Sequence, residues 1–394
     1  MRFSVLLPTR NRLDLLRYAV ESVRRQDYQD WEIVVSDNDS EQGIEAYIRE
    51  LADTRVTYVR TEKFVPVTDN WNNALRHSTG EYVVMLGDDD CLLPGYFSAL
   101  VRLIEEYGQP DAVYVEAVQY AYPGVISGHE AGFVQRGYCE FMHGRTKPFV
   151  LDRAEARRAV EKSMALKLSF SFNMQHVLVS RRAIDALVSH GAFYQSPYPD
   201  YYASNVVLLT AQKVVVMPEP LVAIGISPRS FGYYYFNERE SEGVAFLNNL
   251  GPSSVPESAR EKLLPGSALL TSWYLAMACI EQNFGREYGV HADTERYRYL
   301  QVLPLNRPIR PLRSLGDHWP RLSAGERLWF GLKLAFFQLV PPFMPGRMRA
   351  SYVERFLRRV SPFPKFDPRL RTVEYRTILE LFEDWPRVRT AIGG

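Results

Sequence analysis

The stretch Tyr82-Val83-Val84-Met85-Leu86-Gly87-Asp88-Asp89-Asp90 joins a continuous apolar run to a glycine and three consecutive carboxylates. The apolar part is what a strand covered on both faces looks like. The acidic part needs a counter-charge, because adjacent carboxylates repel one another and resist burial unless they are paired. The segment therefore describes a buried strand that delivers negative charge to one end of a sheet. A divalent cation would relieve the repulsion, and hard cations such as Mg²⁺ and Mn²⁺ prefer oxygen ligands of this kind. The alternative is a solvated turn whose aspartates cap the helix expected after Pro94.

Working outward, Phe3–Leu7, Ile33–Val35, Val56–Val59 and Ala112–Val118 are short apolar runs of the same type. Between them Leu13, Leu16, Ala19, Val20 and Val23 recur at helical spacing, as do Ile44, Tyr47, Ile48 and Leu51, and Trp71–Leu75 reads as part of a helix. Strands alternating with helices at this interval imply parallel pairing through crossovers. Open parallel sheets bind ligands outside the carboxyl ends of their strands. Polar groups collect there: Pro8-Thr9-Arg10-Asn11-Arg12 after the first strand, Ser36-Asp37-Asn38-Asp39-Ser40 after the second, and the acidic turn. Among these strand ends Asp37 can accept hydrogen bonds from a base or ribose, with an Asx-turn as the alternative, and Thr9 and Asn11 stand in the loop beside it. The amide-rich Thr68–Asn73 reads as a helix start, either capped by Thr68 or Asp69 or offering Asn70 and its neighbours to a diphosphate.

The chain has 394 residues, 46% hydrophobic and 24% charged, enough for a real core in one or two domains. A net charge of +1 gives no global field that would steer it to nucleic acid. Cys91, Cys139 and Cys279 form no CxxC pair and read as reduced thiols of a cytoplasmic protein. The apolar run Phe3–Leu7 ends at Pro8, too soon for a signal peptide, and no stretch approaches the roughly 20 apolar residues of a spanning helix.

Residues 121–170, rich in Gly and aromatics, read as loops over the active edge. From Asn173 the alternation resumes with a strand at His176–Val179, helices at Arg182–Val188 and Tyr201–Leu209, and a strand at Val214–Met217. The lone His176 reads as structural. In Ser227–Tyr235, Arg229 and Ser230 are placed to hold a diphosphate and the tyrosines to stack on a sugar; the alternative is a surface loop anchored by its aromatics. Beyond about Pro252 the strand pattern ends. Ser267–Phe284, Glu326–Leu339, Tyr352–Val360 and Val373–Phe382 read as helices. This divides the chain into an α/β domain over 1–250 and a mostly helical region over 251–394. In the last ninety or so residues Lys and Arg outnumber Asp and Glu by about two to one. Leu332–Met344, with its flanking arginines, reads as either a segment lying on an anionic membrane surface or a lobe that packs on the catalytic domain or forms a homodimer.

Phe3–Asn11 (FSVLLPTRN), Trp31–Ser40 (WEIVVSDNDS), Asp69–Leu75 (DNWNNAL), Gly80–Leu86 (GEYVVML) and Gly87–Pro94 (GDDDCLLP) resemble family 2 glycosyltransferases of the GT-A fold. The five blocks stand in the family's order over the first 120 residues, and the resemblance continues more weakly to about residue 235. It implies an α/β fold: a GT-A type doubly wound, mostly parallel sheet flanked by helices, here with an additional C-terminal helical region. It also implies an inverting transfer, dependent on Mn²⁺ or Mg²⁺, from a nucleotide-diphospho-sugar (UDP, dTDP or GDP) to a hydroxyl acceptor. The acceptor would be a saccharide or lipid-linked, in polysaccharide or glycoconjugate biosynthesis, and the enzyme cytoplasmic or peripheral at the inner face of the membrane.

By motif, Asp37 takes the position of the nucleobase contact, Thr9 that of a nucleotide contact at the strand end, Asp88 the middle of the DxD motif, and Asp89 its metal ligand. Gly87 stands where the common pattern has aspartate. Asp200, in Tyr198–Tyr202, takes the place of the base that accepts the hydroxyl proton, with Asp152 and Glu116 as lesser candidates. A sugar-nucleotide pyrophosphorylase would need a glycine-rich basic loop after the first strand, and Pro8–Arg12 contains no glycine. A non-catalytic carbohydrate-binding or scaffold protein on the same fold would have no need of the acidic turn together with Asp200.

Overall fold

In the computed structural model, residues 1–125, 130–237, 239, 242, 256–303, 311–339 and 371–392 are described. β1 (Phe3–Thr9) lies between β2 (Trp31–Asp37) and β4 (Tyr82–Met85), parallel to both, and β3 (Val56–Arg60) continues parallel beyond β2. On the other side β9 (Val177–Ser180) pairs antiparallel with both β4 and β6 (Ala112–Ala121). β10 (Val214–Ile226) runs parallel to β6. The six principal strands thus all point one way, and the antiparallel partners are short. Those are β9, β5 (Cys91–Leu92), β7 (Gly132–Arg136) and β8 (Phe149–Val150). The sheet is mixed and mostly parallel, as expected.

Alternation along β1 decides what covers each face. Phe3, Val5 and Leu7 enter one core with residues of α1 (Leu13–Arg24), α2 (Ile44–Leu51) and α4 (Tyr96–Glu106). Leu6 enters the opposite core, with residues of α3 (Val67–Arg76), α5 (Arg153–Met164), α6 (Arg181–Asp185) and α7 (Pro199–Thr210). Period-2 strands between amphipathic helices give this result directly.

Three expectations are corrected. Residues 121–170 are not all loop: α5 forms there, its first turn closed by Asp152, whose carboxylate accepts from the Ala154 and Glu155 amides. Its charged sequence hid a helix whose buried face is mostly small residues, Ala156, Ala159, Val160 and Ser163. Strands do not end at Pro252, because β11 (Arg371–Val373) pairs antiparallel with β7. Val373–Phe382 is therefore a strand end, a turn and the start of the helix Ile378–Glu383 rather than one helix. The helix read at Tyr352–Val360 lies outside the described residues.

Among the later helices, Ala268–Tyr288 packs into the sheet's own core through Trp273, Met277 and Ile280. Ile378, Leu381 and Val388 pack with Leu15, Cys91 and Val118 at the sheet's end. Phe330 and Leu334 of the helix Ala324–Leu339 instead join Leu264, Val302, Leu315 and Leu322 in a small separate core. No helix among the described residues is long and apolar enough to cross a membrane.

Candidate functional site

The acidic turn leaves β4 at the carboxyl edge of the sheet and is almost wholly covered: Asp88, Asp89 and Asp90 are 3%, 7% and 2% exposed. Each carboxylate has a different set of partners. Asp88 accepts from the Thr9 hydroxyl at 2.8 Å and from Arg12 Nη1 at 2.7 Å. Asp89 accepts from the Ser227 hydroxyl at 2.8 Å, and its other oxygen lies 4.0 Å from Arg12. Asp90 turns back into the fold, accepting from the amides of Gly87 and Gly225 at 2.8 Å each and from Gln175 Nε2 at 2.5 Å. The third carboxylate is thus committed to structure. Among the described residues no cluster of three or more His, Cys, Asp or Glu is arranged around a possible metal.

Burial disfavours the charged form of a carboxylate. It pushes Asp90 up to about 7, with Asp89 adding to the effect. Burial also raises Asp89, Arg12 opposing the shift and Asp88 reinforcing it. Burial works against the charge on Arg12 too, yet Asp88, Asp89 and Asp90 together hold its pKa above the ordinary value. Arg12 is therefore the internal counter-charge of the turn. It meets Asp88 at 2.7 Å and Asp89 only at 4.0 Å, which leaves Asp89 a buried acid with the weaker ion pair, supported besides by the Ser227 hydroxyl and its own amide. That suits a hard cation, which commonly takes one or two carboxylates and completes its shell with substrate phosphates and water. Asp89 is the residue that would hold it.

Two glycines explain the shape of the turn. A Cβ at Gly87 would stand 2.5 Å from the Asp90 carboxylate, so the aspartate of the common family pattern would require the Asp90 side chain to move. A Cβ at Gly225 would overlap the Asp89 carbonyl oxygen, so β10 can approach the turn only as glycine.

The other sequence-derived residues flank this centre. Asp37 is fully buried and accepts from the Ser40 amide at 3.0 Å and from the Tyr58 hydroxyl at 2.8 Å. The Ser40 bond closes the loop three residues on, rather than the two of the Asx-turn expected as the alternative. Asn11, at a φ of 53°, ties the first two loops together, its side chain accepting from the Glu41 amide at 2.8 Å. Asn70 is spent on β2, accepting from the Ser36 hydroxyl at 2.7 Å and donating to the Ser36 carbonyl at 3.1 Å. Neither Thr68 nor Asp69 caps α3: its N-cap is Pro66, and the Thr68 hydroxyl donates to the Ser196 carbonyl. Arg229 pairs with Asp14 and donates to the Asn11 carbonyl at 2.8 Å, while Arg12 donates to the Arg229 carbonyl. These bonds bring the Ser227–Ser230 turn against the loop after β1. The side chains of Tyr233 and Tyr234 meet edge to face, and Tyr235's lies outside the described residues.

Asp200 is the second residue of α7, after Pro199, and the N-cap is Tyr198, so it does not cap the helix. It keeps some solvent exposure and accepts from the Tyr201 amide at 3.0 Å. Burial of the carboxyl pushes its pKa up to about 7. The turn Met174–His176 joins this helix to the acidic turn, since it packs against α7 and sends Gln175 to Asp90. The lesser candidates have structural employment: Glu116 pairs with Arg136, and Asp152 caps α5. His176 stacks on Tyr114 at 5.1 Å and bonds through Nδ1 to the Val115 carbonyl oxygen; burial lowers its pKa to about 4, keeping it neutral.

Arg12, Gln175, Gly225 and Ser227 were not singled out by sequence reasoning. Arg12 and Ser227 stood in loops already marked as polar strand ends, but nothing local paired them with the acids. Gln175 and Gly225 carried no signal, since their partners are 85 and 135 residues away.

Fold and site together define a doubly wound α/β protein with its buried carboxylates gathered at the carboxyl edge of the sheet. Residues 4–163, the segment that holds the acidic turn, match the model of glycosyl transferase family 2. A Campylobacter jejuni GalNAc(5)-diNAcBac-PP-undecaprenol beta-1,3-glucosyltransferase is 37% identical over 108 residues, 27% of this chain and 35% of that protein. An Escherichia coli UDP-Glc:alpha-D-GlcNAc-diphosphoundecaprenol beta-1,3-glucosyltransferase is 28% identical over 87 residues, 22% of this chain and 34% of that one. The chain spans about a third of the length of these relatives. A crystal structure of S. aureus TarS 1–349 superposes with a TM-score of 0.46 at 16% identity, over 95% of this chain and 97% of that one, a likeness too loose to bear on function.

Proposed function

We propose that this chain is an inverting, metal-dependent glycosyltransferase that moves a sugar from a nucleotide-diphospho-sugar to a hydroxyl of a lipid-linked saccharide. The observation that carries the reading is the buried Asp88–Asp89 pair at the carboxyl edge of the sheet, in the segment that matches family 2, with Asp89 short of counter-charge. The names of the two relatives support a polyprenyl-diphosphate-linked acceptor, and one of them supports a UDP donor. Mn²⁺ or Mg²⁺ held by Asp89 would offset the charge that develops on the leaving diphosphate.

The chain's own residues do the rest. Thr9 and Arg12 orient Asp88 towards the nucleotide, and Asp37, at the end of β2, is the candidate base contact. Asp200 takes the proton from the acceptor hydroxyl as its oxygen bonds to the anomeric carbon and the diphosphate departs with the bonding pair. A base with a pKa near 7 is matched to that task at neutral pH. Arg229 and Ser230 reach the diphosphate only if the Arg229–Asp14 pair opens.

The test is a thermal-shift panel with UDP, dTDP and GDP, each with and without Mn²⁺. A ligand at a hundred times its dissociation constant adds about 2.7 kcal/mol to stability. A Mn²⁺-dependent rise with one diphosphate, lost in Asp89→Ala, is the expected outcome. No shift with any nucleotide would sink the transferase reading in favour of a non-catalytic protein on this fold.

A further inference from the structure

The helix Ala324–Leu339 has two apolar faces. Phe330 and Leu334 fill the small core described above. Leu328, Trp329, Leu332 and Phe336 remain 67%, 50%, 57% and 59% exposed. At 3.6 residues per turn these four fall within an arc of about 100°. Lys333 flanks the arc, its ammonium 4.4 Å from the Trp329 ring, and Trp329 Nε1 donates to Glu295 at 3.0 Å. Nearby Trp319 is also exposed, with the Arg327 guanidinium 5.2 Å from its ring.

From this face we infer that the helix Ala324–Leu339 seats the protein on an anionic lipid surface, its Leu328–Phe336 stripe entering the headgroup–acyl boundary. The inference deepens the proposed function and rests on it for the reason a lipid surface is needed: a lipid-linked acceptor presents its reacting sugar there. Three observations favour lipid over another protein. The stripe mixes Leu and Phe with Trp and basic side chains, the composition of helices that lie in a membrane interface. Its four side chains expose on the order of 400–500 Å² of apolar surface, short of the roughly 800 Å² per partner that a stable protein interface covers. The sequence that follows, residues 340–370, carries seven Lys or Arg against two Asp or Glu, a charge complementary to anionic headgroups.

Flotation of the full chain with vesicles tests this, using neutral phosphatidylcholine and the same lipid with about one-third phosphatidylglycerol. Binding to the anionic vesicles at low salt is expected, weakening as salt rises. The variant Leu328→Ser/Leu332→Ser/Phe336→Ser should bind about tenfold or more weakly. Its sites are exposed, so its melting temperature and its UDP–Mn²⁺ shift should stay those of the parent chain. Failure of the parent chain to float overturns the inference. So does a dimer in solution that the triple variant dissolves, because a second copy then covers the stripe; equal flotation of parent and variant removes the stripe from the contact. Absence of flotation by the parent chain with its nucleotide shift intact rejects the lipid surface alone, and flotation of the parent chain without a nucleotide shift rejects the transferase reading alone.

Discussion

At the carboxyl edge of the sheet three aspartates are each less than 10% exposed, while on the helix Ala324–Leu339 two leucines and a phenylalanine are each more than half exposed. Buried charge and exposed apolar surface are the two departures from ordinary polarity that carry information. Their physical supports differ. The aspartates persist because Thr9, Arg12, Ser227, Gln175 and two backbone amides reach them from four separate segments. The apolar stripe needs no such support, since exposure of an apolar side chain costs the fold little so long as the opposite face is packed. The acidic edge is over-determined and the stripe is exposed. A reacting centre needs preorganised groups, whereas a docking face needs only access.

That contrast can be broken experimentally, and the largest effect is expected at the acidic edge's partner carboxyl. Asp200→Asn removes the proposed base and should lower kcat by about 10²–10⁴-fold while leaving nucleotide binding intact. In the parent enzyme kcat/KM should rise with pH through about 7, where Asp200 ionises, and the variant should lose this limb. The sign for stability is the reverse. Burial raises the Asp200 pKa above its unfolded value, so its favourable contribution is complete below the unfolded pKa and is lost as pH rises through about 7. The melting temperature of Asp200→Asn should therefore fall less than the parent's between about pH 5 and 8. A variant with full activity would remove Asp200 from the mechanism.

Phe330→Ala, on the packed face of the helix, should cost about 3–4 kcal/mol in denaturant titration because it hollows the small core. If it cost nothing, that core would not hold the helix. Gly225→Ala should cost about 2–3 kcal/mol and weaken the nucleotide-dependent shift, because the new methyl displaces the Asp89 backbone. Unchanged nucleotide binding there would mean that the turn tolerates movement, against the over-determined picture. Leu332→Ser, on the exposed face, should change stability by no more than about 0.5 kcal/mol. A larger loss would show that the stripe is covered in the folded chain.

Much was legible in local pattern. The alternation of apolar runs placed the parallel strands, since a strand buried on both faces must be apolar throughout. The loops after those strands located Thr9, Asp37 and Asp88–Asp90 at one edge, because parallel strands bring their carboxyl ends together. What could not be read depends on residues distant in sequence. α5 was missed because charged positions masked a small-residue face, and β11 because a three-residue strand gains its meaning only from β7. The division of labour within the acidic turn is of the same kind. The sequence by itself determined that three carboxylates arrive at the edge of the sheet. Only the tertiary structure decided that Asp90 is structural, that Asp88 is answered by Arg12 and that Asp89 is left short of charge. Their partners come from segments up to 138 residues away, and a carboxylate's role is set by which donors the fold brings within hydrogen-bonding distance.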